Sequence, residues 1–261
     1  MISIAQGRWI PSETIPLWQQ SLQWSPSATQ QEYFQVLYTL ILKGNEQMNL
    51  TRITQPDEFW EKHLWDSLSG LWPWLQASAD QPEWLTALST QSIHQVIDIG
   101  TGAGFPALPA AVVCPTWQVT LLDSVKKKIR FLTESFGELG LSNVRAIADR
   151  VEFLAHQPSH REQYDLALIR AVGSAPTCAE YTLPLLKVGG IAVLYRGQWT
   201  AEEAKQLAQA TQQLGGEVLG VQPWQTPLTQ GIRHCIYLRK SIPVSDDFPR
   251  PAGIPAKQPL A

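Results

Sequence analysis

Ten residues, Val96-Ile97-Asp98-Ile99-Gly100-Thr101-Gly102-Ala103-Gly104-Phe105, constrain this chain more than any other stretch. Val96–Ile99 reads as a buried parallel strand. Three glycines then allow a tight turn, and Pro106–Val113 resumes as an apolar helix. A strand, a glycine turn and a helix N-terminus form a nucleotide cradle. Bare backbone N–H groups and the positive end of the helix dipole are expected to face the ligand there. The next strand, Val119–Leu122, ends in Asp123, about twenty residues past the turn, where an acid would bond the two hydroxyls of a ribose.

The glycine spacing discriminates between cofactors. A nicotinamide-binding turn wants Gly-x-Gly-x-x-Gly, which would place a glycine where Phe105 stands. This chain has Gly-x-Gly-x-Gly followed by an aromatic, with Asp98 just before the first glycine. That variant suits S-adenosylmethionine, whose amino acid end packs over the turn where a pyrophosphate would otherwise lie. Asp98, Gly100, Gly102, Gly104 and Asp123 are therefore expected to bind the cofactor. A turn that needs glycine for geometry alone is the plainer alternative, and the placement of Asp123 weighs against it.

The 261 residues are 44% hydrophobic and 16% charged, enough for one α/β domain plus a smaller element. A net charge of −3 gives no global basic field, so any nucleic-acid contact must come from a local patch. Cys114, Cys178 and Cys235 are far apart, with no Cys-x-x-Cys or His-rich spacing, which argues against a metal site or a disulfide framework. The N-terminus has no basic segment leading into an apolar core, and no apolar run reaches the length of a membrane span. A cytoplasmic protein without membrane contact is expected.

Residues 1–90 read as a helical portion. Gln30–Leu42 carries apolar positions at helical spacing and stops near Gly44-Asn45, and a second helix begins around Pro56-Asp57-Glu58. Tryptophan crowds this half, at positions 9, 18, 24, 60, 65, 72, 74 and 84. Aromatics can stack on RNA bases, but tryptophan spaced along helices is read first as core. Residues 91–240 alternate strand and helix in the manner of a doubly wound sheet, closing on a hairpin whose last strand is antiparallel. The tail, 241–261, has too many prolines for a helix and reads as an extended strap or a disordered arm.

Ligands of such sheets lie outside the carboxyl ends of the strands. After the fourth strand, enzymes that methylate exocyclic amines place Asp/Asn-Pro-Pro-aromatic, whereas this chain reads Ile169-Arg170-Ala171-Val172. Cytosine-C5 chemistry needs a nucleophilic cysteine near the strand ends, and Cys114-Pro115 follows the first helix on the wrong edge, as a buried thiol. An acceptor already nucleophilic, such as a ring nitrogen with its own lone pair, fits these absences best. They leave the substrate unnamed.

Several stretches resemble one family, the bacterial small-subunit ribosomal RNA guanine-N7 methyltransferases, also called the glucose-inhibited division protein B family. They are Gln47–Ile53, His63–Leu68, Ile97–Pro106, Leu121–Ser124, Arg170–Val172, Arg233-His234 and Pro249–Pro255. Asn-Leu-Thr (from Asn49) and His-x-x-Asp-Ser (from His63) make the likeness far more specific than the glycine turn alone. The resemblance implies a class I S-adenosylmethionine-dependent, Rossmann-like α/β sheet with an N-terminal helical portion. It also implies methyl transfer to N7 of a guanine in the 530-loop region of 16S rRNA, free or in a small-subunit particle, by a monomer.

Carried over by that likeness, Gly100 and Phe105 touch the cofactor and Val151 and Glu152 flank the adenine. Arg170, a positioning residue, reaches the cofactor or a substrate phosphate. Asn49, His63, Asp66, Ser67 and Arg196 are candidates for the substrate side. His63 and Asp66 lie one helical turn apart, and a bridge from the helices to the sheet is preferred over a catalytic pair. Lys126-Lys127-Lys128 and Arg130 fit a solvated helix face or phosphate contact equally. Two departures from the family touch the substrate side: Arg196-Gly197 replaces the usual Lys-Gly, and Ile169 replaces a serine before Arg170. The rival functions are a nicotinamide-dependent oxidoreductase, disfavoured by Phe105 and the lack of a Tyr-x-x-x-Lys pair, and a non-catalytic nucleotide-sensing or RNA-binding protein.

Overall fold

In a computed structural model of the protein, the described residues are 14–75 and 82–260. Among the described residues, six helices come first: α1 Ile15–Leu22, α2 Ala28–Asn45, α3 Pro56–Phe59, α4 Asp66–Ser69, α5 Trp72–Leu75 and α6 Glu83–Ser89. Between α3 and α4 the chain makes a π-helical turn, Trp60–Trp65. The helix α2 begins two residues before the apolar periodicity does, because Ser27 and Gln30 form a reciprocal capping box.

The sheet strands are β1 Gln95–Ile99, β2 Gln118–Asp123, β3 Val144–Ala148, β4 Tyr164–Arg170, β5 Leu186–Arg196, β6 Gly216–Gln225 and β7 Ile232–Lys240. Their spatial order is β3-β2-β1-β4-β5-β7-β6. The first five are parallel, and β7 runs antiparallel between β5 and β6. The crossovers carry α7 Ala107–Val113, α8 Lys126–Leu139, α9 Val151–Leu154, α10 Ala175–Thr182 and α11 Ala201–Gln213. Gly140 ends α8 at φ +70°, where a residue with a Cβ would be strained.

Strand alternation divides the apolar side chains into two cores. Val96, Val119, Leu168 and Val193 pack on one face with α7, α8 and the N-terminal helices. Ile97, Ala167, Ile169 and Leu194 pack on the other with α9, α10 and α11. Trp18, Trp60 and Trp65 are wholly buried in the first core, and Trp24, Trp72, Trp74 and Trp84 pack against it. Trp9 lies outside the described residues. The tail contains one helical turn, α12 Ile254–Lys257, which corrects the expectation of an entirely non-helical segment: Pro255 sits in the first turn, where its missing N–H costs nothing. Cys114, expected as a buried thiol, is half-buried at the end of α7, and burial pushes its pKa up to about 12.

Candidate functional site

The sheet reverses its winding between β1 and β4, so a crevice opens at their carboxyl ends. Gly100 follows β1 and Arg170 ends β4. Two cavities lie at this edge. One, of about 360 Å³, is lined by residues that include Gly100, Asp123, Asp149, Val151, Glu152 and Val172. The other, of about 630 Å³, is lined by residues that include Lys62, His63, Asp66, Arg170, Arg196 and Arg233. Arg170 and Ala171 face the second and Val172 the first, so three consecutive residues divide them.

The glycine turn differs from the expected cradle of bare donors. Gly100 and Thr101 N–H both donate to the Leu122 carbonyl, at 2.8 and 3.0 Å, and Gly104 and Phe105 N–H to that of Thr101. Gly102 N–H donates to Asp123 Oδ2 at 3.0 Å. The start of α7 is occupied too: Asp98 Oδ2 accepts from Ala107 N–H at 3.2 Å and from Thr101 Oγ1 at 2.6 Å. A carboxylate of the protein itself thus faces the positive end of the helix dipole, where a pyrophosphate would bind in a nicotinamide enzyme.

Two observations fit S-adenosylmethionine instead. Asp98 is 1% exposed, its Oδ1 has no hydrogen-bond partner among the described residues, and burial pushes its pKa up to about 6. A buried acceptor lacking a donor suits a ligand with an ammonium or a sulfonium. The first cavity pairs apolar walls (Ile99, Leu122, Val151, Val172) with the carboxylates of Asp123, Asp149 and Glu152, a lining for an uncharged base and ribose hydroxyls. Gly100 is required sterically: at φ +70°, a Cβ there would also stand 2.7 Å from Val172 Cγ2. Gly104 answers to packing, since its Cβ would meet Leu108 at 2.5 Å.

Asp123 is held by Gly102 and by Val125 N–H, with Lys128 Nζ 3.8 Å away. Glu152 is buried, yet its pKa is lowered. Burial alone would raise it, but hydrogen bonds from Arg150 and from Gly253 N–H outweigh that. Phe105 is placed away from the first cavity. Its ring stacks on His63 with centroids 4.3 Å apart, and the Arg170 guanidinium carbon lies 5.7 Å from its centre.

Arg170 links the sheet to the N-terminal helices. Its Nη1 donates to the Lys62 carbonyl at 2.9 Å and to Asp66 Oδ2 at 2.8 Å, and its Nη2 lies 3.3 Å from His63 Nδ1. A guanidinium can only donate, so Nδ1 accepts and Nε2–H points to Thr51 Oγ1 at 2.9 Å. Burial and then the Arg170 charge hold the His63 pKa down to about 3, so the ring is neutral at pH 7. Asp66 is shared with Arg233, whose Nε lies 3.5 Å from Oδ1.

The other candidates are placed less directly. Ser67 is fully buried and donates to the His63 carbonyl. Asn49 is exposed; Asn45 instead shapes that loop, bonding Leu50, Thr51 N–H and the Thr51 carbonyl. Arg196 donates to Gly173 O at 2.9 Å and to Glu203 at 3.2 Å. Lys127 reaches the Gln47 carbonyl, Lys128 lines the first cavity beside Asp123, and Arg130 pairs with Glu134, so these three have partners within the protein. Tyr181, Arg150 and Lys62 line the cavities without having been singled out as site residues. No spacing signal marks them, because helix packing brings them there.

Among the described residues, no helix is long and apolar enough to cross a membrane. Residues 30–234 match the family described as rRNA small subunit methyltransferase G, GidB. The ribosomal RNA small subunit methyltransferase G of Trichormus variabilis is 53% identical over 248 residues, covering 95% of this chain and 98% of that protein. The protein of the same description from Gloeobacter violaceus is 49% identical over 244 residues, covering 94% and 91%. Among solved structures, a Burkholderia thailandensis 1,6-didemethyltoxoflavin-N1-methyltransferase with bound S-adenosylhomocysteine aligns at a TM-score of 0.49. It shares 15% identity and covers 84% of this chain and 93% of that one.

Proposed function

Because this chain belongs to the GidB family of ribosomal RNA small subunit methyltransferases, we propose that it methylates N7 of a guanine in the 530-loop region of 16S rRNA. The observation that carries this is the pair of cavities either side of residues 170–172, one lined by apolar groups and carboxylates, the other by Lys62, Arg170, Arg196 and Arg233. A nucleoside donor suits the first and a polyanion the second. The site of action is proposed to be the cytoplasm, where ribosomal RNA is assembled.

Bound S-adenosylmethionine would supply an electrophilic methyl on a positively charged sulfur, which the N7 lone pair could take as the C–S electron pair returns to sulfur. Guanine N7 carries no proton, so the chain needs no general base. The neutral, buried His63 agrees with that, since it stiffens Arg170 and takes no proton. Positioning is the remaining task. Asp98, Gly100, Asp123, Val151 and Glu152 would hold the donor. Arg196, Arg233 and Lys62 would bind phosphates of the loop. Arg170, locked by His63, Asp66 and the Lys62 carbonyl, would set the distance between the two cavities. A base reacting at this depth must leave its stack, and the volume of the second cavity allows for one.

The test is transfer of labelled methyl from S-adenosylmethionine to small subunits and to naked 16S rRNA, followed by borohydride–aniline cleavage and primer extension to locate 7-methylguanine. A stop in the 530 loop is the expected result. Label on another base atom would refute the N7 reading, and no label on either substrate would refute the enzyme. Arg170→Ala is expected to lose methylation; if neither cofactor affinity nor methylation changed, the role given to Arg170 would be wrong.

A further inference from the structure

The Pro-rich tail is not used by the reaction described above, yet it is bonded into the wall of the first cavity. Arg250 makes a two-pronged ion pair with Glu180, through Nε at 2.9 Å and Nη2 at 2.7 Å, and Glu180 is fully buried on α10. Thr177, on the same helix, donates to the Pro255 carbonyl at 2.9 Å. His156 lies 2.8 Å from the Pro249 carbonyl, and Arg161 donates to the Phe248 carbonyl at 2.8 Å. Between these anchors, Gly253 N–H donates to Glu152 Oε1 at 2.9 Å.

Glu152 Oε1 therefore accepts three hydrogen bonds: from Gly253, from Arg150 Nη2 at 2.8 Å and from Tyr181 OH at 3.2 Å. Oε2 accepts none among the described residues, and Glu152 lines the cavity. Three donors on one oxygen fix the rotation of the carboxylate and leave the other oxygen to the ligand. The residue that does this from the tail stands at φ +83°, a conformation for which glycine is suited.

We infer that residues 249–257 form a strap that orients Glu152 toward a bound nucleoside, with Gly253 and Arg250 as positioning residues for donor binding. The inference rests on the first cavity being the donor site. Gly253→Ala probes the backbone alone: at φ +83° it is strained, but a Cβ there meets no atom of the described residues within 4 Å. Arg250→Lys keeps the charge opposite buried Glu180 and removes the two-pronged geometry.

Binding of S-adenosylhomocysteine by the full chain is measured by calorimetry for wild type, both variants, Glu152→Ala and Gly253→Ala/Glu152→Ala. Gly253→Ala is expected to weaken binding about tenfold, the scale of one hydrogen bond to a charged group, and Arg250→Lys to weaken it less. In the Glu152→Ala background, Gly253→Ala should have no further effect. Hydrogen exchange of amides in 250–257 should slow when the ligand binds, which a tail serving stability alone would not show. Equal affinity for wild type and Gly253→Ala, or an undiminished effect without Glu152, overturns the strap. A wild type that does not bind the ligand overturns the donor site itself, and the strap with it.

Discussion

His63 illustrates how one residue can be placed by charge and burial together. Its ring stacks on Phe105 with the Arg170 guanidinium at its edge, where protonation would bury a second cation. An unfolded histidine titrates near pH 6.5, the folded one at about 3. Between these values the unfolded chain holds a proton that the native protein refuses. The contribution of His63 is complete above pH 6.5 and is lost as pH falls toward 3. Asp98 acts in the opposite sense: its folded pKa of about 6 lies above the unfolded 3.8, so its contribution is full below 3.8 and lost as pH rises through 6. The two partly cancel, and the variant separates them. Urea denaturation of His63→Gln near pH 5 is expected to shift the slope of stability against pH by one proton in the negative direction, about 1.4 kcal/mol per pH unit, so that the Asp98 loss with rising pH shows. An unchanged slope would mean that His63 is already charged. Arg170→Lys, which keeps a cation but loses the fork to Asp66, His63 and the Lys62 carbonyl, is expected to lower kcat about tenfold or more at saturating donor.

At the scale of elements, the π-helical turn Trp60–Trp65 ties the second cavity to the β6–β7 hairpin. Lys62 and His63 line the cavity, while Glu61, 1% exposed, accepts from Leu228 N–H, Thr229 N–H and Thr229 Oγ1 in the hairpin loop. The same hairpin delivers Arg233 to Asp66. Glu61→Ala would leave those donors without an acceptor and is expected to cost about 2 kcal/mol in chemical denaturation. A loss below a few tenths would show that the loop stands without it. The strand–glycine–helix unit was readable because its spacing is local. The π turn was not readable: Pro56–Ser69 carries one apolar pattern with no mark where the helix widens, and Phe59 just before the turn and His63 within it both pack on Phe105.

For the whole molecule, a net charge of −3 coexists with a cavity bordered by three arginines and a lysine. RNA affinity should therefore fall with salt, and Arg233→Ala should reduce the slope of log K against log salt by about one phosphate contact. A filter-binding titration at several salt concentrations checks this, and an unchanged slope would remove Arg233 from the RNA face. The sequence by itself determined the alternation of strands and helices, the glycine turn and the acid after β2, because each depends on residues close together in the chain. The family likeness also pointed to Arg170 and Arg196, which close β4 and β5. Tertiary structure alone decided that the turn's N–H groups are used internally, that Phe105 packs toward His63, and that the tail bonds to Glu152. Those outcomes depend on which groups, far apart along the chain, arrive at the same carboxyl edge and satisfy one another's hydrogen bonds.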